Sequence, residues 1–177
     1  MEKLQELISA IENCDTEKIS YLAKNGMDMN CTDASGCTPL FFAIRKFSGM
    51  ISSVSFEKNS NKKQTAALTE IAKEATAVIS ALLENGADVG YEDSDGCTAL
   101  GLLKFFWQLG MLAFLPSVAE GVIARKKEVM KMVSKIFHDM TVILVEAGAD
   151  ENHTNKFGEK PAKYAGRIMT GEMEKRA

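Results

Sequence analysis

The sequence predicts an all-α fold, a solenoid of about 3.5 helix-turn-helix units stacked side by side. Glycines at positions 26, 86 and 148 end similar passages, and further glycines at 36, 96 and 158 follow ten residues after each of them. Apolar residues recur at spacings of three and four between these glycine pairs, as they do in amphipathic helices. A glycine pair with a spacing of ten residues therefore occurs three times, and each occurrence marks one unit.

Each unit carries a signal for a helix end and a signal for a helix start. Gly26, Gly86 and Gly148 close apolar helical patterns, and glycine is the residue that ends a helix at positive φ without steric cost. Thr38 followed by Pro39 supplies a hydroxyl N-cap and then a residue whose φ is preset for a helix. The roughly ten residues between the two signals are rich in polar and turn-forming types, which predicts a hairpin-like loop.

With these passages the sequence resembles the ankyrin repeat family. The residues Gly36-Cys-Thr-Pro-Leu-Phe-Phe-Ala43 and Leu82-Leu-Glu-Asn-Gly-Ala-Asp-Val89 carry the resemblance most clearly. The family's histidine is replaced by Phe41, Gly101 and Lys163. The glycine spacings of 86 − 26 = 60 and 148 − 86 = 62 residues also exceed the family period of about 33. The extra residues therefore form inserts between the two helices of a unit.

The elements follow in order within a single domain, 1–177. Asp15 is the expected cap between two leading helices, and Pro161-Ala-Lys-Tyr-Ala165 resembles the start of a terminal helix. The predicted parts are a leading helix pair with its hairpin (1–36), a repeat with an insert at about 48–70 (37–96), a repeat with an insert at about 106–135 (97–158) and a terminal helix (159–177).

The inserts predict two elongated helical hairpins. Apolar residues between Ala67 and Leu83 place the start of the second helix well upstream, whereas Ser48–Thr65 is rich in Ser, Asn and Lys and predicts a mobile loop. In the second insert, one apolar face runs from Val118 to Leu144, which predicts a helix of about 29 residues and roughly 43 Å after the break at Pro116.

The segment Ala99–Leu115 is the most apolar part of the chain, interrupted among its strongly apolar side chains only by Lys104 and Gln108. A membrane-spanning helix needs about 20 apolar residues, and this segment begins at a helix cap in repeat register and ends before Pro116. Burial between neighbouring helices is the favoured interpretation. The alternative is a membrane- or complex-associated accessory protein that uses an exposed apolar helix at 99–115.

The composition of the chain argues against nucleic-acid binding and against catalysis. Twenty-one basic and 24 acidic residues give a net charge of −3, which argues against nucleic acid as a partner. Only two histidines are present, so we expect no enzyme and no cofactor. The amino-terminal residues do not resemble a secretory signal, which predicts a cytoplasmic protein with reduced cysteines.

A zinc site formed by Cys31, Cys37, Cys97 and His153 is disfavoured. Stacked repeats lie about 8–10 Å apart, whereas zinc ligands converge to about 2.3 Å from one ion. Cys–His nucleophile pairs with His138 or His153 have no evident orienting partner in the sequence. The basic residues between Arg125 and Lys135 are interrupted by Glu128, as in a solvated helix face.

The family resemblance implies a non-enzymatic protein–protein interaction scaffold, expected to be a monomer. In that family the hairpin tips and the exposed sides of the first helices line a concave binding face. Transferred to this sequence, the predicted contact positions are Thr32, Ser35, Cys37, Arg45, Lys46, Glu92, Ser94, Asp95, Cys97, Phe105, Thr154, Lys156, Phe157 and Arg167. Arg45, Phe105, Phe157 and Arg167 are the expected energetic anchors, because arginine and aromatic side chains dominate protein interfaces.

Overall fold

The computed structural model of the chain describes residues 2–56, 61–114 and 122–160. These ranges contain helices and loops and no strand, which confirms the predicted all-α class. The helices are α1 (Glu2–Glu12), α2 (Thr16–Lys24), α3 (Pro39–Phe56), α4 (Asn61–Glu84), α5 (Ala99–Phe114) and α6 (Val122–Glu146). The expected terminal helix at 159–177, with Lys163 and Arg167, lies outside the described residues apart from its first two positions.

The helices pack in consecutive pairs and in two rows. Helix α1 contacts α2, α3 contacts α4 and α5 contacts α6, while α1, α3 and α5 follow one another in one row and α2, α4 and α6 in the other. Leu7, Ile11, Phe47, Ile79 and Leu103 are completely buried between these helices. Each pair thus covers apolar side chains that the preceding pair cannot cover alone.

Glycines end α2, α4 and α6 as the sequence predicts. Gly26, Gly86 and Gly148 have φ values of 79°, 94° and 102° and follow the last helical residue by two positions. In each case the next amide donates a hydrogen bond back to a carbonyl in the last helical turn, as Ala87 N does to Leu82 O at 3.0 Å. These bonds satisfy carbonyl groups that the helix itself leaves unpaired.

Threonine hydroxyls start α3 and α5. Thr38 Oγ1 accepts a hydrogen bond from the Phe41 amide, and Thr98 Oγ1 accepts one from the Gly101 amide, each at 3.3 Å. The predicted Asp15 cap is also present, since its Oδ1 accepts from the Lys18 amide at 2.8 Å. The Thr38, Thr98 and Asp15 caps are therefore present at the helix starts where the sequence predicts them.

The two elongated hairpins are present. Helices α3 and α4 have 18 and 24 residues and α5 and α6 have 16 and 25, against 11 and 9 in the leading pair. Helix α6 buries Val129, Val133, Phe137 and Met140 along one face. It begins at Val122 and is about 38 Å long, while position 118 of the predicted helix lies outside the described residues.

The mobile loop predicted at 48–65 is wrong, because residues 48–56 and 61–65 are helical. Hydroxyl groups on α3 bond to the carbonyl one turn earlier, Ser52 Oγ to Ser48 O at 2.9 Å and Ser55 Oγ to Ile51 O at 2.6 Å. Gln64, which is buried, donates to Val54 O at 2.9 Å near the end of α3. The polar side chains therefore support the two helices from within the hairpin.

Helix α5 is only partly buried. Ala99, Leu100 and Leu103 are fully buried in its first turns, whereas Phe106 and Trp107 are half-buried further along. The expectation of burial between helices therefore holds fully for the beginning of α5, whereas residues 104–110 are half-buried. No helix in the described ranges is both long enough and apolar enough to cross a membrane.

Candidate partner-binding face

The three hairpins, 26–36, 86–96 and 148–158, are each held by one side chain. Asp33 Oδ1 accepts from the amides of Ser35 and Cys37 at 2.8 and 2.9 Å. Asp93 and Asn155 make the same pair of bonds in the second and third hairpins. Because the anchor is an Asp or Asn three residues before the second glycine, inspection of the three aligned loops could have found it.

Polar side chains join neighbouring hairpins. Asn30 Oδ1 accepts from the Asp88 amide at 2.6 Å, and its Nδ2 donates to Gly86 O at 3.0 Å. Asn30 follows its stop glycine by four residues, and Tyr91 and His153 follow theirs by five. The Tyr91 hydroxyl lies 3.4 Å from Gly36 O, and His153 Nε2 lies 2.9 Å from Gly96 O. The hairpins consequently form a continuous row along one edge of the helices.

The second and third hairpins are in closest contact. The Lys156 amide donates to Asp95 O at 3.0 Å, and its Nζ donates to Ser94 O at 2.8 Å. A Cβ atom built on Gly96 would lie 2.9 Å from the Lys156 nitrogen, a separation that real Cβ atoms do not adopt. Glycine at position 96 thus permits both the positive φ of 75° and this close approach.

Most of the predicted contact positions on the hairpins are exposed at the tips. The exposed residues are Thr32, Ser35, Glu92, Ser94, Asp95, Thr154, Lys156 and Phe157. The side chain of Phe157, at 39% exposure, is one of two large hydrophobic residues that the described part of the chain exposes to this extent, with Tyr21. The exposure of Phe157 is compatible with its predicted role as an aromatic anchor.

Cys37 and Cys97 are half-buried at the bases of their hairpins. Burial raises the pKa of the Cys37 thiol, and burial together with the Asp93 carboxylate raises the pKa of Cys97 to about 11. Arg45 Nη1 lies 3.9 Å from the sulfur of Cys37, and Asn155 Nδ2 lies 4.0 Å from that of Cys97. Both groups are therefore neutral thiols near pH 7 and offer small, weakly polar surfaces.

The helix positions of the predicted site divide into two groups. Arg45 is exposed on α3 beside the first hairpin, as expected of a contact residue. Lys46 is instead engaged within the chain, because its Nζ donates to Ile11 O at 2.9 Å and Glu12 O at 2.8 Å at the end of α1. Lys46 therefore caps the end of α1, and its ammonium group is directed into the chain.

Further along the row, the side chain of Phe105 is half-buried and meets Phe106 edge-on, with 5.6 Å between the ring centroids. Lys104 lies next to it on α5 and forms a salt bridge with Glu151 of the third hairpin at 2.9 Å. The sequence interpretation missed this pair, since the two residues are 47 positions apart. The bridge connects α5 to the edge of the hairpin row.

Arg167 lies outside the described residues.

Possible metal ligands do not converge in the structure. In the described ranges, no group of three or more His, Cys, Asp or Glu residues is arranged to hold a metal ion. The four cysteines are free thiols. His153 lies 3.6 Å from Glu92, and its Nε2 also contacts the Gly96 carbonyl, so this imidazole is part of the hairpin row.

Comparison with known families identifies one segment of the chain. Residues 7–48 match a family model described as ankyrin repeats (many copies), and this segment covers most of α1, all of α2, the first hairpin and the start of α3. The resemblance to ankyrin repeats is therefore confirmed for these residues. A comparison with curated proteins finds no match.

The match assigns residues 7–48 to the class of ankyrin repeats. Ankyrin repeats are generally protein–protein interaction modules, and domains built from them are typically non-enzymatic. The two later units, which carry the long inserts, lie beyond the matched residues.

Proposed function

We propose that this chain is a non-enzymatic scaffold that binds a partner protein through a concave face. The face consists of the three hairpin tips together with the side of α3 that carries Arg45 and the side of α5 that carries the half-buried Phe105. The observation that supports it most strongly is the shared anchoring of the hairpins by Asp33, Asp93 and Asn155. Because these anchors and the glycines hold the backbone, the hairpins present their exposed tip side chains in a fixed arrangement to a partner.

Two residues are the expected anchors of binding within the described part of the face. Arg45 carries a long, always charged side chain, and Phe157 is a partly exposed aromatic ring at the third hairpin. Arginine and aromatic residues supply most of the binding energy in many interfaces, since they combine large contact areas with specific polar or ring contacts. We expect both side chains to become buried in the complex.

The second hairpin gives the face a local negative charge. Glu92 and Asp95 are exposed there, while the Lys156 ammonium next to them is held by the carbonyl of Ser94. Complementary charge steers association and excludes wrong partners. We therefore expect the partner to present basic side chains opposite the second hairpin.

The proposal is tested by a double variant of the face. Arg45→Glu with Phe157→Ala reverses one charge and removes one ring, and we expect the affinity for a co-purified partner to fall at least about tenfold. The matched control is Lys73→Glu with Tyr21→Ala, which makes the same two changes at exposed positions on α4 and α2. Affinities are measured by calorimetry with the purified partner.

Helical content by circular dichroism should be unchanged in both double variants, because all four side chains are exposed. Equal affinity of the two variants for the partner would contradict the proposed face. A loss confined to the control would move the interface to the row of α2, α4 and α6.

A second candidate function is attachment to a membrane or a hydrophobic complex through 99–115. It is supported by the half-buried side chains of Phe105, Phe106 and Trp107 on α5. Flotation with vesicles of phosphatidylcholine and phosphatidylserine, compared with the Trp107→Glu variant, tests the membrane form of this function. The scaffold function expects no flotation of either protein.

A further inference from the structure

Two asparagines stand directly before the glycines that end α2 and α4. Asn25 precedes Gly26, and Asn85 precedes Gly86. Asparagine followed by glycine is especially prone to spontaneous loss of the side-chain amide, because glycine has no Cβ atom to hinder attack by its own backbone nitrogen. Alanine occupies position 147 before the third stop glycine, so the sequence contains this pair in the first two units.

The reaction needs only water as a second reactant. The Gly26 nitrogen loses its proton and attacks Cγ of Asn25, so that an N–Cγ bond forms, the Cγ–Nδ2 bond breaks and the amide leaves as ammonia. Water then opens the resulting cyclic imide at either carbonyl and gives aspartate or isoaspartate. The net change replaces a neutral amide by a carboxylate, with no oxidation or reduction.

The ends of the two helices hold both asparagines away from this reaction. Asn25 Nδ2 donates to Tyr21 O at 2.7 Å, and Gly26 N donates to Ala23 O at 3.0 Å. The equivalent atoms of the second pair make bonds of 2.7 and 3.1 Å to carbonyls in the last turn of α4. Attack therefore requires the helix end to open locally, and its rate follows the population of the open form.

Bonds from the preceding unit hold the second pair and not the first. Ser20 Oγ accepts from Asn85 Nδ2 at 3.2 Å, so α2 also holds this side chain. Asn30 of the first hairpin bridges the backbone, because it donates to Gly86 O at 3.0 Å and accepts from the amide two residues further on at 2.6 Å. Among the described residues, no hydrogen bond from another unit reaches positions 25 and 26. Asn25 is also exposed, whereas Asn85 is half-buried.

We propose that Asn25 is a site of spontaneous deamidation in the folded chain and that Asn85 is protected by the unit before it. Opening at Asn25 breaks bonds within one helix of 9 residues. Opening at Asn85 breaks three further bonds between units. Each of these bonds adds to the free energy of opening, so Asn25 is expected to convert at least about tenfold faster.

Deamidation at position 25 changes the end of α2. The new carboxylate has no proton to donate to the Tyr21 carbonyl, and it adds negative charge where the helix dipole is already negative. The modification thus loosens the last turn of α2 and the start of the first hairpin. The site is independent of the proposed partner-binding face, because the reaction involves no partner.

The test incubates the unaltered full chain in mildly alkaline buffer and follows both pairs by peptide mass spectrometry after digestion in acid. Deamidation is measured as the mass gain from exchange of NH2 for OH, and chromatography separates the aspartate and isoaspartate products. A parallel sample in urea is the control, because both asparagines precede glycine and convert at similar rates once the chain is unfolded.

Three results of this incubation would overturn the proposal. The first is an Asn85 rate in the folded chain that equals or exceeds the Asn25 rate. The second is a difference between the two rates that persists in urea, since the fold would then not be its cause. The third is an Asn25 that stays intact in the folded chain while the urea sample converts.

A double variant tests the bonds between units. Ser20→Ala with Asn30→Ala removes all three of them, and the ratio of the two deamidation rates should fall from at least about tenfold to within about twofold. The matched control is Ser80→Ala with Asn152→Ala, the same changes at the equivalent positions of later units. A ratio that is unchanged in the first variant, or lowered equally by the control, would contradict protection by the preceding unit.

Discussion

At the scale of single residues, one carboxylate or amide oxygen organises each hairpin. The Ser35 hydroxyl and the amides of Cys37 and Ser35 donate to Asp33, and together they hold the pKa of this carboxyl below its ordinary value of 3.8. A carboxylate that accepts several donors is stabilised in its ionised form. In the third hairpin the neutral amide of Asn155 accepts the equivalent pair of hydrogen bonds, so this arrangement does not require a charged side chain.

Asp33 provides a prediction with an internal control. Asp33→Ala removes the acceptor and should lower the free energy of unfolding by about 0.5–2 kcal/mol, as loss of a helix cap does. Asp33→Asn keeps the acceptor and should stay within about 0.5 kcal/mol of the unaltered chain at pH 7. Urea denaturation measures both. Equal losses in the two variants would show that the anchor is not the hydrogen-bond acceptor.

The same residue predicts a dependence on pH. Because the folded pKa of Asp33 lies below its unfolded value, its stabilisation is complete above the ordinary value of 3.8 and is lost as the pH falls through the lower folded value. Asp33→Asn should therefore flatten the stability profile between about pH 5 and about pH 2. Denaturation midpoints across this range test the sign. A steeper profile in the variant would contradict it.

Gly86 tests the helix-end assignment. It has a φ of 94°, and a Cβ atom built there meets nothing within 4 Å, so any penalty of substitution comes from the backbone alone. Gly86→Ala should cost about 1–2 kcal/mol, and Gly86→Val should cost more because of its branched side chain. Gly49, exposed within α3, is the control: Gly49→Ala should stabilise by about 0.5–1 kcal/mol. Thermal denaturation of the three variants decides the matter, and an unchanged melting temperature for Gly86→Val would refute the assignment.

At the scale of helices, local signals predicted the starts and ends well and the inserts less well. Thr38, Thr98 and the stop glycines act through neighbours within a few residues, which a sequence displays directly. The segment at 48–65 was predicted to be a loop because it is rich in Ser, Asn and Lys, and Ser and Asn favour turns. The hydroxyls of Ser52 and Ser55 and the side-chain NH2 of Gln64 donate to helix carbonyls, and the Gln64 bond depends on packing between α3 and α4. Composition alone does not contain this information.

The candidate site also contains positions that the sequence could predict and positions that depend on packing between distant helices. The exposed tip positions could be transferred from the repeat register, because the register fixes which loop residues lie outermost. Lys46 could not be judged in this way, since its partners Ile11 and Glu12 are 35 and 34 residues away and belong to another helix. Its neighbour Arg45 is exposed, and nothing in the two residue types distinguishes them.

The contrast between these neighbours gives a prediction for α1. Lys46→Met should lower the free energy of unfolding by about 1–3 kcal/mol, because the carbonyls at the end of α1 lose a charged donor. Arg45→Met should change it by less than about 0.5 kcal/mol. Chemical denaturation of the two variants provides the measurement. The reverse order would place the structural role on Arg45.

At the scale of the whole molecule, stability depends on the middle pair. Helix α3 contacts α1, α4, α5 and α6, and its Phe47 side chain is completely buried. Phe47→Ala should cost about 3–5 kcal/mol through lost burial and a cavity. Tyr21→Ala, at a ring that is 58% exposed, should cost less than about 0.5 kcal/mol. Guanidinium titrations of both variants test this, and comparable midpoints would argue against a core centred on α3.

The separation between anchoring and exposed positions in the hairpins has a practical consequence for engineering. Positions 34, 94 and 95 lie at exposed tips whose backbone is held by Asp33, Asp93 and the glycines. A combinatorial library randomised at these three positions, with the anchors and Ser35 retained, should yield folded members at high frequency. Selection from such a library would turn the chain into a source of new affinity reagents.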